Sequence, residues 1–363
     1  MKLGELLLNT FSGEWGTEEG ELLTPVLRTS NFNEDGSLNY STPAMRCIPE
    51  GKVAKKRMVR GDIILEKSGG TPKRPVGIMA FYDSDALALC SNFNQVLRFD
   101  ESRILPRFAF HQLRWLKDRN AFDRYTRKTT GLQNLQMKKL IELKLRVPQI
   151  EAQTSIATTL DEIVCDQRTL QQEIACLDSL VKSRFVEMFG DPVTAVSDIT
   201  LGEVANMKAG KTTTAKTIHD VYAPGLYPCY GGNGFRGYSA EPTHEGVFPL
   251  IGRQGALCGN VQIAHGTFRA TEHAVVVDCK TSCEPVWLFH YLKYDNLGRL
   301  ATGAAQPGLS LKDLKLVPVQ LPPKDRQVEF ISFVSQVDKS RFVRDHEINF
   351  RWERFTLSWS TIA

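Results

Sequence analysis

A chain of 363 residues with 42% apolar and 24% charged side chains has the material for two or three folded domains, which excludes a largely disordered protein. The net charge of +4 is modest for a compact nucleic-acid-binding module, and no run approaches the ~18 apolar residues of a membrane span. The opening MKLGELLLNT is too short and too acidic for a secretory signal, so the cytoplasm is the expected compartment, with no membrane partner.

In chain order, residues 14–50 lean acidic and are followed by a basic run at Lys52, Lys55, Lys56, Arg57 and Arg60. Arg60 to Glu66 reads as a strand entering a Gly-rich loop, Ser68 to Pro72, with Phe93 to Phe99 as a further strand. Leu105 to Lys117 reads as a helix inside a second basic segment that reaches Lys139. A charge run is usually a solvated face, but two of them raise nucleic acid as a partner.

From Glu151 to Met188 the periodicity predicts one long helix. Ile156, Leu160, Ile163, Leu170, Ile174, Leu177 and Val181 step by four and three, and Gln167 takes the remaining seam position. A mean period of 3.5 is that of a coiled-coil seam, and the helix would run roughly 55 Å at 1.5 Å per residue. Such a seam needs a partner.

The partner comes from an internal repeat. Pro106 to Trp115 (PRFAFHQLRW) matches Pro285 to Tyr294 (PVWLFHYLKY), both reading as aromatic-faced helices. Leu3 to Leu6 matches Leu201 to Val204, and the Gly61 to Gly70 segment can be laid over Gly246 to Gly255. Thr130-Gly131 matches Thr302-Gly303, Leu135 to Leu140 matches Leu309 to Leu314, and Val147-Pro148 with Gln153 matches Leu321-Pro322 with Gln327. A second long helix is therefore expected after Pro323, with Phe330, Val334, Val337, Ile348 and Phe355 on its seam. Arg341, Arg344 and Arg351 fill the other seam positions, with Arg341 expected opposite Gln167. Strands are expected at Val247 to Ile251, Gly259 to Ile263 and Ala274 to Val277. The predicted fold is α+β: two similar globular domains, 1–148 and 191–322, with two long helices, 149–190 and 323–363, pairing as an antiparallel coiled coil.

Catalytic and metal motifs are lacking. The sequence holds no Walker motif, no HExxH, and no strand-to-helix GxGxxG. Gly231 to Gly234 is more simply a turn than a phosphate cradle, and Thr271-Glu272-His273 more simply a polar strand opening than an acid/base site. Its eight cysteines include no CxxC and no Cys/His pair at zinc spacing, so reduced thiols are expected, with no catalytic residue and no metal. Nucleic-acid readout passes better, because Arg, Lys, Asn and Gln on Gly-permitted loops suit base edges and phosphates. The first domain offers Lys67, Ser68, Thr71, Lys73, Arg74, Asn92, Asn94, Thr130, Gln133 and Asn134. The second offers Asn233, Arg236, Arg253, Gln254, Asn260, Thr302 and Gln306. Polar loops recur at equivalent places in both copies, which single loops could not signify.

Phe248 to Val261 (FPLIGRQGALCGNV), Ala270 to Val275 (ATEHAV) and Ala301 to Leu309 (ATGAAQPGL) resemble a target-recognition domain of type I restriction–modification specificity subunits. Val181 to Pro192 resembles that family's spacer helix. The first copy departs from the pattern, with LEKSGG where the second has IGRQG. The resemblance implies a non-catalytic subunit whose two domains each read one half of a split, asymmetric double-stranded DNA target. It also implies helices that set the gap and dock two methyltransferase subunits, with restriction subunits joining that core. S-adenosylmethionine, ATP and Mg²⁺ would belong to those partners. The rivals are a coiled-coil scaffold that binds no DNA, and a stand-alone methyltransferase or nuclease, for which the motifs are missing.

Overall fold

A computed structural model describes residues 1–71, 74–129, 131–255, 257–303 and 307–362. The chain forms two compact units, Met1–Gln171 with Glu347–Ala363, and Gln172–His346. In chain order the first holds α1 (Leu3–Leu6), β1 (Leu7–Ser12), β2 (Leu23–Leu27), β3 (Ala44–Cys47), α2 (Glu50–Lys56), β4 (Ile63–Glu66), β5 (Ser68–Gly70) and β6 (Met79–Phe81). Next come β7 (Leu89–Cys90), β8 (Asn94–Phe99), α3 (Pro106–Asp118), β9 (Thr126–Thr129), β10 (Leu132–Leu135), α4 (Met137–Leu140) and the start of α5 (Ile150–Phe189). The second unit adds α6 (Leu201–Val204), β11 (Ala205–Ala209), β12 (Tyr227–Gly231), β13 (Gly234–Ser239), β14 (His244–Gly252), β15 (Val261–Ala270) and β16 (Ala274–Cys279). It closes with α7 (Pro285–Tyr294), α8 (Leu311–Lys315) and α9 (Lys324–Ile362).

The repeat is real at the level of strand pairing. The second unit has one sheet in the order β11-β16-β14-β15-β12-β13. The first has β1-β8-β4-β6 and β3-β2-β7, the same order with the long strand β15 divided into β6 and β7. In both, a parallel pairing joins equivalent strands, β2 to β7 and β12 to β15. The apolar run Ala274 to Val277 is buried in the middle of the second sheet because β14 and β11 flank it. The expected Gly-rich loop at Ser68 is instead the short strand β5, which pairs with β10 and builds a third sheet, β5-β10-β9, in the first unit.

Each aromatic helix is locked to the following long helix by a buried glutamine. Gln153 Oε1 accepts from Leu105 N at 2.7 Å, and its Nε2 donates to Pro148 O at 2.9 Å. Gln327 Oε1 accepts from Glu284 N at 2.8 Å, and its Nε2 donates to Pro322 O at 2.9 Å and Ser282 O at 3.0 Å. Leu105 and Glu284 are the residues that precede α3 and α7, both opened by Pro, so each glutamine satisfies a donor at a helix start. A second tie adds charge: His111 Nε2 and Arg107 Nε both lie 2.7 Å from Asp161 Oδ1 on α5.

The α5 seam is legible throughout. Leu160, Leu170 and Val181 are buried, and Ile156, Ile163, Gln167, Ile174 and Leu177 are half-buried. Ile156, Leu160 and Ile163 pack on the core of the first unit, while Val181 and Leu177 join that of the second with Phe330, Val334 and Val337. Within the second unit the pairing of α5 with α9 is antiparallel. Phe185 stacks edge-on to Phe330 with centroids 5.2 Å apart, and further along Glu173 Oε2 accepts from Arg344 Nε at 3.0 Å. Arg341 is ion-paired with Asp178 and with Asp338, not with Gln167 as expected. The register that sets Phe185 against Phe330 and Glu173 against Arg344 brings Arg341 to Asp178, about three helical turns along α5 from Gln167. The side chains of Ile348, Arg351 and Phe355 lie outside the described residues.

Two outcomes test this packing. Phe185, fully buried among Phe189, Trp287, Tyr291, Tyr294 and Phe330, should cost about 3–5 kcal/mol when changed to Ala, read by urea unfolding. Burial holds the His290 imidazole down at about 3, below the 6.5 it regains on unfolding. The unfolded chain then binds a proton that the folded chain refuses, so this contribution is intact above about pH 6.5 and is lost as pH falls towards 3. Wild type should lose up to about 2 kcal/mol more than His290→Gln between pH 6.5 and 5. The difference removes Asp295, whose carboxyl, raised to about 6 by burial, acts in the opposite sense in both proteins.

Candidate nucleic-acid interface

The same main-chain hydrogen bonds build one polar edge in each unit. Lys67 O accepts from Leu135 N at 2.7 Å, and Arg253 O from Leu309 N at 2.9 Å. Lys67 N donates to Phe93 O at 3.0 Å, and Arg253 N to His273 O at 3.1 Å. Asn94 N donates to Ser91 O, and Ala274 N to Thr271 O. Lys67 is therefore the counterpart of Arg253 and Phe93 of His273, one residue away from the register expected when Gly61 was laid over Gly246. Glu272 bonds neighbouring backbone, as expected, whereas the buried Thr271 hydroxyl has no hydrogen-bond partner among the described residues. Thr271 N donates to Tyr230 O, and Glu272 accepts from Thr213 N at 3.0 Å.

In the second unit three segments converge. Gly231 to Gly234 is the tight hairpin turn between β12 and β13, as expected, and its tip presses on β14: a Cβ on Gly252 would lie 2.0 Å from Gly232 O. This close approach brings the exposed Asn233 to Asn260, whose Nδ2 donates to Asn233 Oδ1 at 2.9 Å. Gln254 Oε1 and His273 Nδ1 lie 3.0 Å apart on the neighbouring loop, beside the half-buried Arg253. Arg236 and Phe235 are exposed just after the hairpin tip. Thr302 is exposed, its N bonded to Gly308 O at 3.0 Å, which closes the loop next to Gln254. Gln306 lies outside the described residues.

In the first unit the outcome is mixed. Asn92 and Thr71 are exposed, Ser68 and Asn134 half-buried, and Arg74 is exposed with Nη1 3.1 Å from Glu66 Oε1. Lys67 is half-buried, bonded to Ser12 Oγ and 3.4 Å from Gln95 Oε1, and burial lowers its pKa. Asn94 and Gln133 correct the expectation of exposed loop residues. Both face the interior, because they occupy inward positions of β8 and β10, and Gln133 Oε1 accepts from Val76 N at 3.4 Å. Lys73 and Thr130 lie outside the described residues. The aromatic members Phe93, Phe235 and His273 were missed by a search for Arg, Lys, Asn and Gln. An aromatic beside a Gly-rich turn was the available signal.

Arg269 holds the segment beneath the second edge. It is 7% exposed and donates through Nε to Thr213 Oγ1 at 2.9 Å, through Nη1 to Glu241 O at 3.0 Å, and through Nη2 to Thr212 O at 3.2 Å. Arg269→Ala should loosen Lys211 to Thr214 by about 1.5–3 kcal/mol, the worth of such charged bonds. Tryptic cleavage at Lys211 and Lys216 should then quicken about tenfold or more under native conditions, read by timed digestion and mass spectrometry.

A family model described as "Type I restriction modification DNA specificity domain" matches residues 22–175 and again 195–349. The type I restriction enzyme EcoprrI specificity subunit of Escherichia coli is 44% identical over 140 residues, 38% of this chain and 35% of that protein. The chain thus spans about a third of the length of that relative. A putative type I restriction enzyme MjaX specificity subunit of Methanocaldococcus jannaschii is 21% identical over 321 residues, 80% of this chain and 75% of that protein. Among solved structures, a type I restriction–modification S subunit from M. genitalium aligns with a TM-score of 0.59 at 20% identity, covering 98% of this chain and 93% of that one. A chain from a study of assembly and conformational transition of the type I R-M system aligns at 0.53 and 17% identity, covering 98% and 95%. At these identities the structural likeness establishes the fold.

Proposed function

Since the chain belongs to the type I restriction modification DNA specificity domain family, we propose that it is the subunit through which a restriction–modification complex reads double-stranded DNA. Each globular part, 1–148 and 191–322, reads one half of a bipartite, asymmetric target. The two long helices fix the gap between the halves and dock two methyltransferase subunits, and restriction subunits join that assembly. S-adenosylmethionine, ATP and Mg²⁺ serve those partners, and the chemistry is theirs.

The observation that carries this reading is one backbone frame with two sets of side chains. Where the first unit has Lys67, Phe93 and Glu66, the second has Arg253, His273 and Gly252, held by matching main-chain bonds. A repeated frame with altered hydrogen-bonding groups suits reading two different base sequences. Arg253, half-buried in a Gly-flanked loop, can present its fork to a guanine edge, and Lys67 stands at the same point of the first edge.

Methylome sequencing of a host expressing this chain with its methyltransferase should give a split motif. Arg253→Ala should relax one half of it by about 5–150-fold in discrimination, the range of a lost bidentate base contact, and leave the other half intact. Equal erosion of both halves would count against base reading by Arg253. A purified chain that methylates or cuts DNA alone would establish an enzyme instead, and a complex indifferent to DNA would establish a scaffold. Specific binding should keep a sequence-dependent component as salt rises, whereas purely electrostatic binding fades uniformly.

A further inference from the structure

One place in the common frame is built oppositely in the two units. In the second, Gly232 lies against Gly252, and Ala274 pairs with Gly252 across the sheet, so backbone fills the space. The matching positions in the first unit carry Thr29, Glu66 and Asn94. Leu27 O accepts from Ser91 N just as Tyr230 O accepts from Thr271 N, and Glu66 pairs with Asn94 as Gly252 pairs with Ala274. Three small or absent side chains have become a polar cluster.

That cluster is incompletely satisfied. Glu66 is 2% exposed; Oε1 meets Arg74 and the Thr29 hydroxyl stands beside the carboxylate, while Oε2 has no partner at full hydrogen-bond geometry among the described residues. Asn94, fully buried, accepts the Thr29 hydroxyl at 3.1 Å, and its Nδ2 has no acceptor among the described residues. Buried polar atoms are almost always paired in native folds, so an unpaired acceptor beside an unpaired donor calls for a ligand or water. Beside Glu66 is an open cavity of about 360 Å³, within the range of small-molecule pockets, lined by Trp15, Thr29, Glu66, Ser68, Asn92 and Phe93. Arg28 also borders it, with Nη2 donating to Thr42 O at 3.2 Å. Phe93 is 54% exposed, an apolar ring offered to solvent. Burial raises the Glu66 carboxyl above its ordinary value, which a donor entering the cavity would oppose.

We propose that this pocket takes the amino-bearing edge of a cytosine or adenine, with Glu66 Oε2 accepting from the exocyclic N4 or N6 group and Phe93 lying against the base. Carboxylates accept from cytosine N4 in direct readout, and exposed aromatic rings suit the flat face of any base. In the second unit Gly232 fills the equivalent space. Glu66 is thus a specificity-determining residue of the first half-site only, an assignment that rests on the DNA-reading function proposed above.

The test uses the full chain assembled with its methyltransferase, with preferred duplexes selected from a random pool. Each cytosine and adenine of the first half-site is then replaced in turn by 2-pyrimidinone or purine, which lack the amino group. Wild type should lose about 5–150-fold in affinity at one position, the loss expected for one base contact, and that position distinguishes cytosine from adenine. Glu66→Leu, of similar bulk but without an acceptor oxygen, should abolish that penalty, with the second half-site unchanged. The analogue series on wild type keeps the proposal testable even if the variant folds poorly. Specific binding that is indifferent to every amino deletion in the first half-site, or a penalty that persists in Glu66→Leu, overturns the assignment of Glu66 alone. A wild-type complex without sequence preference overturns the DNA-reading function as well.

Discussion

Two buried glutamines hold this molecule in order. Gln153 and Gln327 each sit near the start of a long helix and spend the amide on main-chain groups of two other segments. A neutral side chain with both a donor and an acceptor can close such a junction without burying a charge. Because each junction orients an aromatic helix, the strands against that helix and the loops at their ends inherit its placement. Loss of either amide oxygen would leave a helix-initiating N–H buried and unpaired, so the two positions are constrained far more tightly than their surroundings.

Above those junctions the two units share main-chain geometry and diverge in side chains. The shared part is the strand order, the parallel pairing and the bonds that fix Lys67 and Arg253. The divergent part is local. One unit divides the strand that the other keeps whole as β15, and adds the β5-β10-β9 sheet. Backbone hydrogen bonding thus carries the fold, which frees the rim side chains for selectivity.

Much of this is legible in the sequence. The 3.5-residue period over Ile156 to Val181 and the paired Val-Pro…Gln and Leu-Pro…Gln segments announced the helices and their duplication, because burial periodicity and main-chain constraints both leave marks on sequence. The interior positions of Asn94 and Gln133 were not legible. Polar residues at inward strand positions look like loop residues until the register is known, and one step in register turns a side chain to the other face. The Arg341–Asp178 pair escaped for a related reason, since ion pairs across helices depend on rotation about each axis as well as on which heptads align. Glu66 was passed over because an acid within an apolar strand, ILE, is usually read as its exposed end. The pocket that gives it meaning is assembled from segments distant in sequence.

The pressing of Gly232 against Gly252 has a consequence for how such a chain can change over generations. With backbone packed on backbone, the second unit has no slack at that point, and mutation there has one permitted outcome. The first unit, with a roomy cavity in the equivalent place, can drift through many side chains while its sheet stays whole. Two halves of one duplicated scaffold would therefore explore new preferences at unequal rates, the open half running ahead of the closed one.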